Sequence, residues 1–536
     1  MGTEHDMVVN DENASKSELN YDFVLDPSHP GRQFKFSDPN RVRSKKQRIF
    51  GAIWDAFGKE PEERRFVMRL DFFLFSYSLI SYMIKTLDQI NISNAYVSGM
   101  QEDLNLHGQE RNLFTTFFNM GYLAGSLPGQ ILMNGRVRSS YFIPSCEIVW
   151  AVFVMCIAAC QSARAIYGLR FIIGLAESSI FPGFSAILGA WYTPSELGKR
   201  IALFEMSFQI AHMFSGYIQA GVYSSMNGRY GIAGWRWIFI IDGIISMPVA
   251  ITGFFAIPDF PTTTRAYYLK PYHRAYAMAR MARIGRAAHV PLTLKMFISI
   301  FRSGRPYVYV FLVKLQNFGG YTGYFNLWLK SLHKYSVPQL NVIPTGGNAI
   351  GLVSAYLISN LSDLTNTRWQ WILVSESFSL LGGILLTVWN ISDKAKMFAN
   401  LIGYAGVPTQ SIAIAWAAES FQDMSALRGI NQGLANTIAF AMNAWLPLVF
   451  FPTTRAPHYK FGYQWTIICH SLEIVSVFVF MWYVKWERKR NGYVVNDFGL
   501  PIIPSHRDVN KVGSDAEEEI SGEKGMNGKI VTASPV

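Results

Sequence analysis

Charged residues are scarce in this sequence. Only 16% of its 536 residues are Asp, Glu, Lys or Arg, whereas 50% are hydrophobic; soluble proteins carry about a quarter charged residues. The four cysteines show no CxxC spacing or pairing that would indicate a metal site or a disulfide framework. The polar N-terminus contains no early apolar stretch, so no cleavable signal peptide is predicted. These absences favour a membrane protein that is inserted by its first transmembrane helix.

Long apolar runs are abundant. A helix needs about 20 apolar residues to cross a bilayer, and twelve runs of this kind occur, six before residue 258 and six after residue 305. They cover residues 70–90, 112–134, 141–161, 165–190, 201–224, 236–257, 306–328, 337–360, 369–390, 395–418, 429–451 and 462–484, called spans 1 to 12 below. We therefore predict an all-α membrane protein with twelve transmembrane helices in two six-helix halves.

Basic residues lie mostly on one side of the predicted membrane. The net charge is +11, but the basic residues flank apolar runs, which favours membrane-flanking charge over nucleic-acid binding. With twelve spans, the basic terminal flanks, the basic short loops and the basic middle loop fall on the same side. The loop 91–110 on the other side has no lysine or arginine. We expect both termini to be cytosolic.

The chain divides into five predicted regions. Low apolar content predicts disordered cytosolic tails at both ends, and the segment 270–288 of the middle loop reads as a basic helix lying on an anionic leaflet. The regions are the N-terminal tail 1–65, the first six-helix half 66–258, the basic cytosolic central loop 259–304, the second half 305–490 and the C-terminal tail 491–536.

A small set of ionisable side chains falls well inside the predicted spans. A charge near the bilayer centre costs several kcal/mol and is a functional hypothesis by default. For Glu147 we expect an interfacial position or a local partner, and for Asp242 structural pairing. For His470 and Glu473 we expect a packing or interfacial role, with a proton relay as the alternative; Glu376 has no assignment. Lys85 and Asp88 are three residues apart, so either they form a local ion pair or Asp88 carries a proton while Lys85 attracts an anion.

Arg170 and Glu177 occupy one face of span 4, in the stretch GLRFIIGLAESSIFPGF. Seven residues correspond to about 10.5 Å of helix, which argues against a simple ion pair between them. Arginine keeps its charge and presents a planar fork that matches a carboxylate, whereas a glutamate in a low dielectric can exchange a proton. The pair predicts a transporter that moves an acid together with protons.

Polar and aromatic residues of spans 7 and 11 are expected to line the same cavity. Gly319, Gly320 and Gly323 would permit a break in span 7, with close helix packing as the alternative. The candidate substrate-binding residues are Arg170, Lys85, Lys314, Asn317, Tyr321 and Asn436. The candidate proton-coupling residues are Asp88, Glu177 and Glu205. No catalytic, metal-ligating or cofactor-binding residues are indicated.

Three stretches resemble a known family. Span 4 resembles the pattern R-x3-G-x2-E-x4-P followed by WY and an E…R loop, and GWRWIFIIDG at 234–243 and LDQINISNAYVSGMQEDLNL at 87–106 resemble other parts of that family. The residues in span 4 and its loop are Arg170, Gly174, Glu177, Pro182, Trp191, Tyr192, Glu196 and Arg200. Together they resemble the anion:cation symporter branch of the major facilitator superfamily, in particular fungal allantoate and vitamin permeases.

The resemblance implies a major facilitator fold with two pseudo-symmetric halves, normally a monomer, that rock about a central site. It also implies that Arg170 binds a substrate carboxylate, while Glu177 and Asp88 couple protons. Two stretches depart from the family pattern. Gln89 follows Asp88 where many members have arginine, and the 2–3 loop, GQILMNGRVRSS, lacks the usual aspartate.

These observations predict proton-coupled uptake of a small organic anion, such as biotin or pantothenate, across the fungal plasma membrane. An exporter or a transporter of allantoate, nicotinate or a secondary metabolite is the alternative, and a non-transporting nutrient sensor is a further one. An enzyme is not indicated, because the sequence shows no nucleophile–base set, metal cluster or phosphate loop.

Overall fold

The computed structural model describes Phe34, Phe36 and residues 54–135, 137–283, 304–365, 367–420 and 425–490. All regular secondary structure within these ranges is helical, as expected where each backbone polar group must be satisfied inside a bilayer. Of the predicted disordered tails, the structure describes Phe34, Phe36 and residues 54–65; the prediction of disorder is wrong for 54–65, which contain the turn Asp55–Gly58 and the start of helix Pro61–Leu70. The rest of both tails and residues 284–303 of the central loop lie outside the described residues.

A helix covers each predicted span of the first half. The first begins at Pro61, and wide helical turns at Asp71–Phe75 and Tyr96–Met100 interrupt its regular winding. Pro194 and Glu196 begin the fifth, where the Glu196 side chain and Thr193 form a capping box. The helices are Pro61–Asp103, Glu110–Gly135, Ser139–Ile157, Ala163–Trp191, Pro194–Met226 and Gly234–Ala256.

The second half also has helices at all six predicted positions. They are Arg305–Phe318 followed by Phe325–Ser331, Val337–Thr365, Arg368–Val388, Asp393–Ile402 followed by Pro408–Ser420, Ser425–Phe450 and Lys460–Arg490. Eight of the helices in the described residues are long and apolar enough to cross a membrane by themselves. The helices at spans 2 and 5 fall outside this set, and spans 7 and 10 are each divided into shorter pieces.

Two compact units divide the described chain, and the boundary falls inside the last helix. The first unit runs from Met1 to Ile474 and the second from Val475 to Val536. Within the second, the indole rings of Trp482 and Trp486 stack with their centroids 6.3 Å apart.

Breaks in spans 4 and 7 follow from local sequence. Helix Ala163–Glu177 ends directly after Glu177, and the span resumes as a helix at Ile180. Pro182 favours this break because it has no backbone N–H to donate to the preceding turn. Span 7 stops at Phe318 and resumes through a short turn at Thr322–Tyr324. The predicted break at Gly319 and its neighbouring glycines is therefore confirmed.

Spans 2 and 4 pack backbone against backbone. A Cβ atom added at Gly121 would lie 1.9 Å from the carbonyl oxygen of Phe171, and one added at Gly174 would lie 2.1 Å from that of Phe118. Only glycine permits this approach. The glycine between Arg170 and Glu177 in the family pattern therefore fixes the distance between the two helices.

The face at which the first helix begins carries a dense set of ion pairs and is called the basic face below. Arg200 donates from Nη2 to Asp71 at 2.6 Å and from Nη1 to Asp55 at 3.1 Å. The carboxylate of Glu196 pairs with Arg280 at 2.9 Å and with Lys59 at 2.5 Å. The loop after span 4 is thus fastened both to the segment before span 1 and to the central loop.

The central loop contains helix Pro271–Arg283, which begins within one residue of the predicted basic helix. Tyr276 and Arg280 on this helix are buried, so its inner face packs on protein. Burial and the positive charges of Arg69 and Lys270 lower the pKa of His273 to about 4. The imidazole is therefore neutral at physiological pH, and its Nε2 lies 3.1 Å from Nη1 of Arg69.

Hydrogen bonds join the two halves at the opposite face. Arg111 donates to the carbonyl oxygen of Gly323 at 3.0 Å, within the span 7 break. Asn112 donates to that of Phe451 at 2.7 Å, and Asn341 donates to the Ser98 hydroxyl at 2.9 Å. These contacts close the opposite face in this conformation.

We predict that Gly174→Ala destabilises the fold, whereas Gly168→Ala on the same helix does not. The added methyl at Gly174 meets a backbone carbonyl, while a Cβ at Gly168 has no atom within 4 Å; overpacking of this kind costs about 1–3 kcal/mol. Fluorescence-detected size-exclusion chromatography after heating measures the midpoint temperature of unfolding of each variant. Equal midpoints for the two variants would contradict the packing of spans 2 and 4.

Candidate functional site

Arg170 is buried and forms no ion pair within the part of the chain that the structure describes. It is 2% exposed, and no carboxylate oxygen of the described residues lies within 4 Å of its guanidinium. It donates to the carbonyl oxygens of Asp88 at 3.4 Å and Phe114 at 3.5 Å, which are long for N–H···O bonds, and lies 4.7 Å from the ring centre of Phe118. A buried guanidinium with such weak partners is available to an external anion.

Glu177 lies two turns further along the same helix and does not contact Arg170. Its Oε2 accepts a hydrogen bond from Nε2 of Gln89 at 2.7 Å, whereas its fully buried Oε1 receives none within the described residues. The spacing argument against a direct pair with Arg170 is confirmed. Glu177 is the last residue before the helix break.

Lys85 is buried between aromatic rings rather than paired with Asp88. Its ammonium lies 5.1 Å from the ring centre of Tyr122 and 5.5 Å from that of Tyr82, within cation–π range. The described structure has no Lys85–Asp88 ion pair within 4 Å, so the local ion-pair alternative is wrong for this conformation. The Lys85 ammonium interacts electrostatically with Glu177 and with Glu205.

Glu205 connects the site to the second half of the chain. Its carboxylate interacts electrostatically with the ammonium groups of Lys314 on span 7 and Lys85 on span 1. Neither lysine has a carboxylate oxygen within 4 Å among the described residues. Glu205, Lys85 and Lys314 are all candidate site residues from the sequence, and in the structure both ammonium groups lie within electrostatic range of the Glu205 carboxylate.

Span 11 approaches the same region through an aromatic contact. Phe440 stacks on Tyr122 with ring centroids 3.6 Å apart, and Tyr122 also contacts Lys85. Asn436 is half-buried one helical turn before Phe440, and therefore on the same face of span 11.

Asp88 faces the carboxyl group of Asp242 on span 6. The two groups are close enough to share a hydrogen bond when one of them is protonated, and neither oxygen of Asp88 has another partner in the described structure. Asn91 donates to Asp242, and Ser215 donates to Asn91 at 2.7 Å. Two adjacent carboxyl groups in a dry environment do not both ionise readily.

Asn317 and Tyr321 are engaged within the second half. Asn317 donates to Oε1 of Gln410 at 3.1 Å. Tyr321 is buried in a slot beside Gly382 and Gly403 and donates to the carbonyl oxygen of Ala399 at 3.2 Å. Packing accounts for Tyr321 as it stands, and substrate binding by either residue stays a prediction.

Glu147 also differs from its expected setting. We expected an interfacial position or a local partner, but Glu147 is buried and accepts hydrogen bonds from Tyr77, at 2.5 Å, and Ser81 on span 1. Both partners lie on span 1, and the sequence of span 3 alone does not indicate which residues of another helix contact Glu147.

Sequence reasoning missed several neutral members of the site. Gln89, Asn91 and Tyr122 each hydrogen-bond or contact one of its charged groups. Ser215 donates to Asn91 and so supports the site from behind. A signal was present in span 1, where Asp88, Asn91 and Asn94 recur at a spacing of three and so share one helix face.

Residues 78–447 match the sequence model of the Major Facilitator Superfamily. The chain belongs to this superfamily. Three fungal members are similar over most of their length. The pantothenate transporter liz1 of Schizosaccharomyces pombe is 34% identical and aligns over 87% of this chain and 91% of its own. The MFS transporter PfmaC of Pestalotiopsis fici is 36% identical and aligns over 77% of this chain and 78% of its own. The vitamin H transporter of Saccharomyces cerevisiae is 29% identical and aligns over 81% of this chain and 76% of its own.

Solved structures show the same fold at low sequence identity. The xylose transporter XylE from E. coli, in a partially occluded inward-open conformation, has a TM-score of 0.55 at 14% identity over 76% of this chain and 99% of its own. A bacterial homologue of the human lysosomal transporter Spinster, inward-facing and unoccupied, has a TM-score of 0.55 at 14% identity over 76% of this chain and 96% of its own. The all-α, twelve-helix expectation is therefore confirmed: this superfamily member is a multi-pass membrane protein, and the superfamily consists of transporters rather than enzymes.

We predict that Arg170→Met leaves thermal stability unchanged or raises it, whereas Arg200→Met lowers it. Both arginines are buried, but among the described residues only Arg200 has carboxylate oxygens within 4 Å; removing one partner of a buried ion pair costs about 3–5 kcal/mol. Thermal unfolding of the two purified variants in one detergent measures the difference. A larger loss for Arg170→Met would show that Arg170 serves the fold rather than a ligand.

Proposed function

We propose that this chain takes up a carboxylate vitamin, pantothenate or biotin, together with protons. The observation that carries the proposal is the Arg170 guanidinium, which is buried in a membrane span with no carboxylate within 4 Å among the described residues. A bidentate arginine–carboxylate contact would supply the missing counter-charge. The names of similar proteins, a pantothenate transporter and a vitamin H transporter, point to that class of substrate.

Lys85 and Lys314 would assist Arg170. Their ammonium groups lie on spans of opposite halves and share electrostatic contact with Glu205. A bound anion between them would be held by both halves, which is how a substrate can bias the rocking of one half against the other. Asn436 beside the Tyr122–Phe440 contact would hydrogen-bond the polar body of the substrate.

Protons would enter at the carboxyl groups of span 1 and span 4. Asp88, with Asp242 beside it, shares a site that must hold a proton while it is dry. Glu177 has one oxygen without a donor in the described structure and lies in electrostatic range of Lys85 and Arg170. Anion binding at these cations would weaken their hold on Glu177, so that substrate and proton bind together.

The proposed location is the plasma membrane, with the chain a monomer and both termini in the cytosol. The concentration of Lys59, Arg69, Arg200 and Arg280 on the basic face supports this orientation through the positive-inside rule. Since hydrogen bonds between the halves close the opposite face, the conformation described would be open towards the cytosol.

Transport of another acidic metabolite, such as allantoate or nicotinate, is the alternative, in either direction. A relative whose name specifies no substrate, PfmaC, is as similar to this chain as the pantothenate transporter is. The same arginine would serve any small carboxylate.

We predict that the chain restores growth of yeast strains that lack pantothenate or biotin uptake, at limiting vitamin. Labelled uptake should be faster at acid than at neutral pH, because a proton enters with the substrate. Arg170→Met should lower uptake roughly tenfold or more, since charge-assisted hydrogen bonds contribute about 1.5–3 kcal/mol. Uptake of both vitamins at the vector level, with the protein present at the cell surface, would contradict the substrate assignment.

Glu177→Gln separates the proton role from the substrate role. The amide keeps the side chain's shape but cannot release a proton, so uphill accumulation should stop while exchange of labelled for unlabelled vitamin continues. Full uphill accumulation by this variant would exclude Glu177 from proton coupling without touching the role of Arg170.

A further inference from the structure

The second half contains a buried carboxyl–imidazole pair outside the site described above. Oε2 of Glu376 on span 9 lies 2.6 Å from Nδ1 of His470 on span 12. Glu376 is 0% and His470 3% exposed. Glu473, one turn after His470 and also buried, interacts electrostatically with Glu376.

The surroundings of Glu376 do not favour a bare negative charge. No lysine or arginine of the described residues lies within 4 Å of it, and its completely buried Oε1 receives no hydrogen bond there. The neighbouring Glu473 adds repulsion between carboxylates. An ionised carboxylate in a membrane interior costs several kcal/mol without a cation, so the pair must hold a proton while it is dry.

The pair lies beside the break in span 7. Glu473 accepts a hydrogen bond from the backbone N–H of Gln316 at 3.3 Å, two residues before the helix ends. Trp465 and Thr466, on the same helix as His470, donate to the carbonyl oxygens of Phe318 and Gly319 at 2.9 and 2.8 Å. The segment that contacts Arg111 across the closed opposite face is thus fastened next to the pair.

Other titratable groups occur on the helices packed around the pair. They are Tyr309 and Lys314 on span 7, Arg368 at the start of span 9, Tyr404 before the second piece of span 10, and Cys469 on span 12. The Lys314 ammonium interacts with Glu205 and Arg368 pairs with Glu419 at 2.6 Å. Tyr404 donates to Thr322, and the Cys469 thiol lies near Glu473. His470 is therefore the basic side chain that the described structure places beside Glu376.

We propose that Glu376 and His470, with Glu473 beside them, form an exchangeable proton-binding site in the second half of the transporter. The pair holds one proton, which can lie on the imidazole or on the carboxyl group without changing the net charge. When rocking of the halves admits water, this proton leaves to a water molecule and leaves a carboxylate beside a neutral imidazole. The added negative charge next to Glu473 then alters the electrostatics at the span 7 break. This site goes beyond the proposed function, which places proton coupling in the first half.

Infrared difference spectroscopy of the full chain in lipid nanodiscs tests the proposal without any substrate. Between acid and neutral pH, the carbonyl-stretching band of protonated carboxyl groups should fall, and Glu376→Gln should remove part of that change. His470→Gln should shift the loss of this component to higher pH, because the ionised carboxylate loses its imidazolium partner. Asp393→Asn, at an exposed ion pair with Lys334, is the control and should leave the buried component in place.

Glu473→Gln provides a second variant should Glu376→Gln fail to fold. It removes the neighbouring negative charge but keeps an oxygen to accept from Gln316, so deprotonation of the Glu376 component should shift to lower pH. An infrared titration identical to wild type in both His470→Gln and Glu473→Gln would overturn the proposal. Since no vitamin enters this experiment, its outcome is independent of the substrate assignment.

Discussion

The candidate site of the first half is centred on one buried guanidinium. Arg170 lies in an apolar span, and in the described structure it has long bonds to two backbone carbonyls and an aromatic face instead of a carboxylate. Such a charge is expensive inside a membrane unless a partner arrives. The nearby carboxyl groups of Asp88 and Glu177 interact with it only at longer range, which leaves the fork of Arg170 open to a substrate anion.

A rigid frame keeps that geometry. Gly121 and Gly174 bring spans 2 and 4 into backbone contact, so the backbone of Arg170 cannot shift relative to span 2 without moving the whole helix. Pro182 explains why the helix breaks just after Glu177, which places the carboxyl group of Glu177 at a discontinuity. The ion pairs of Glu196 and Arg200 then fix the far end of the same span at the basic face.

Local sequence was sufficient for the features that depend on local chemistry. Apolar runs placed all twelve helices, glycines placed the break after Phe318, and the spacing of Arg170 and Glu177 excluded a direct pair. Partners on distant helices could not be deduced in this way. Asp88 with Asp242, Glu147 with Tyr77, and Glu376 with His470 are each brought together by tertiary packing, and no periodicity within one span encodes which helix lies opposite. Neither span 7 nor span 10 contains a single helix long enough to cross a membrane, because each is divided into shorter helices.

A structure of the protein with bound pantothenate or biotin, determined by electron cryomicroscopy in lipid nanodiscs, tests the central claim most directly. We expect the vitamin's carboxylate to lie within hydrogen-bonding distance of the Arg170 guanidinium, with Lys85 or Lys314 close by. A bound vitamin whose carboxylate contacts other groups, while Arg170 keeps its bonds to the carbonyl oxygens of Asp88 and Phe114, would contradict it.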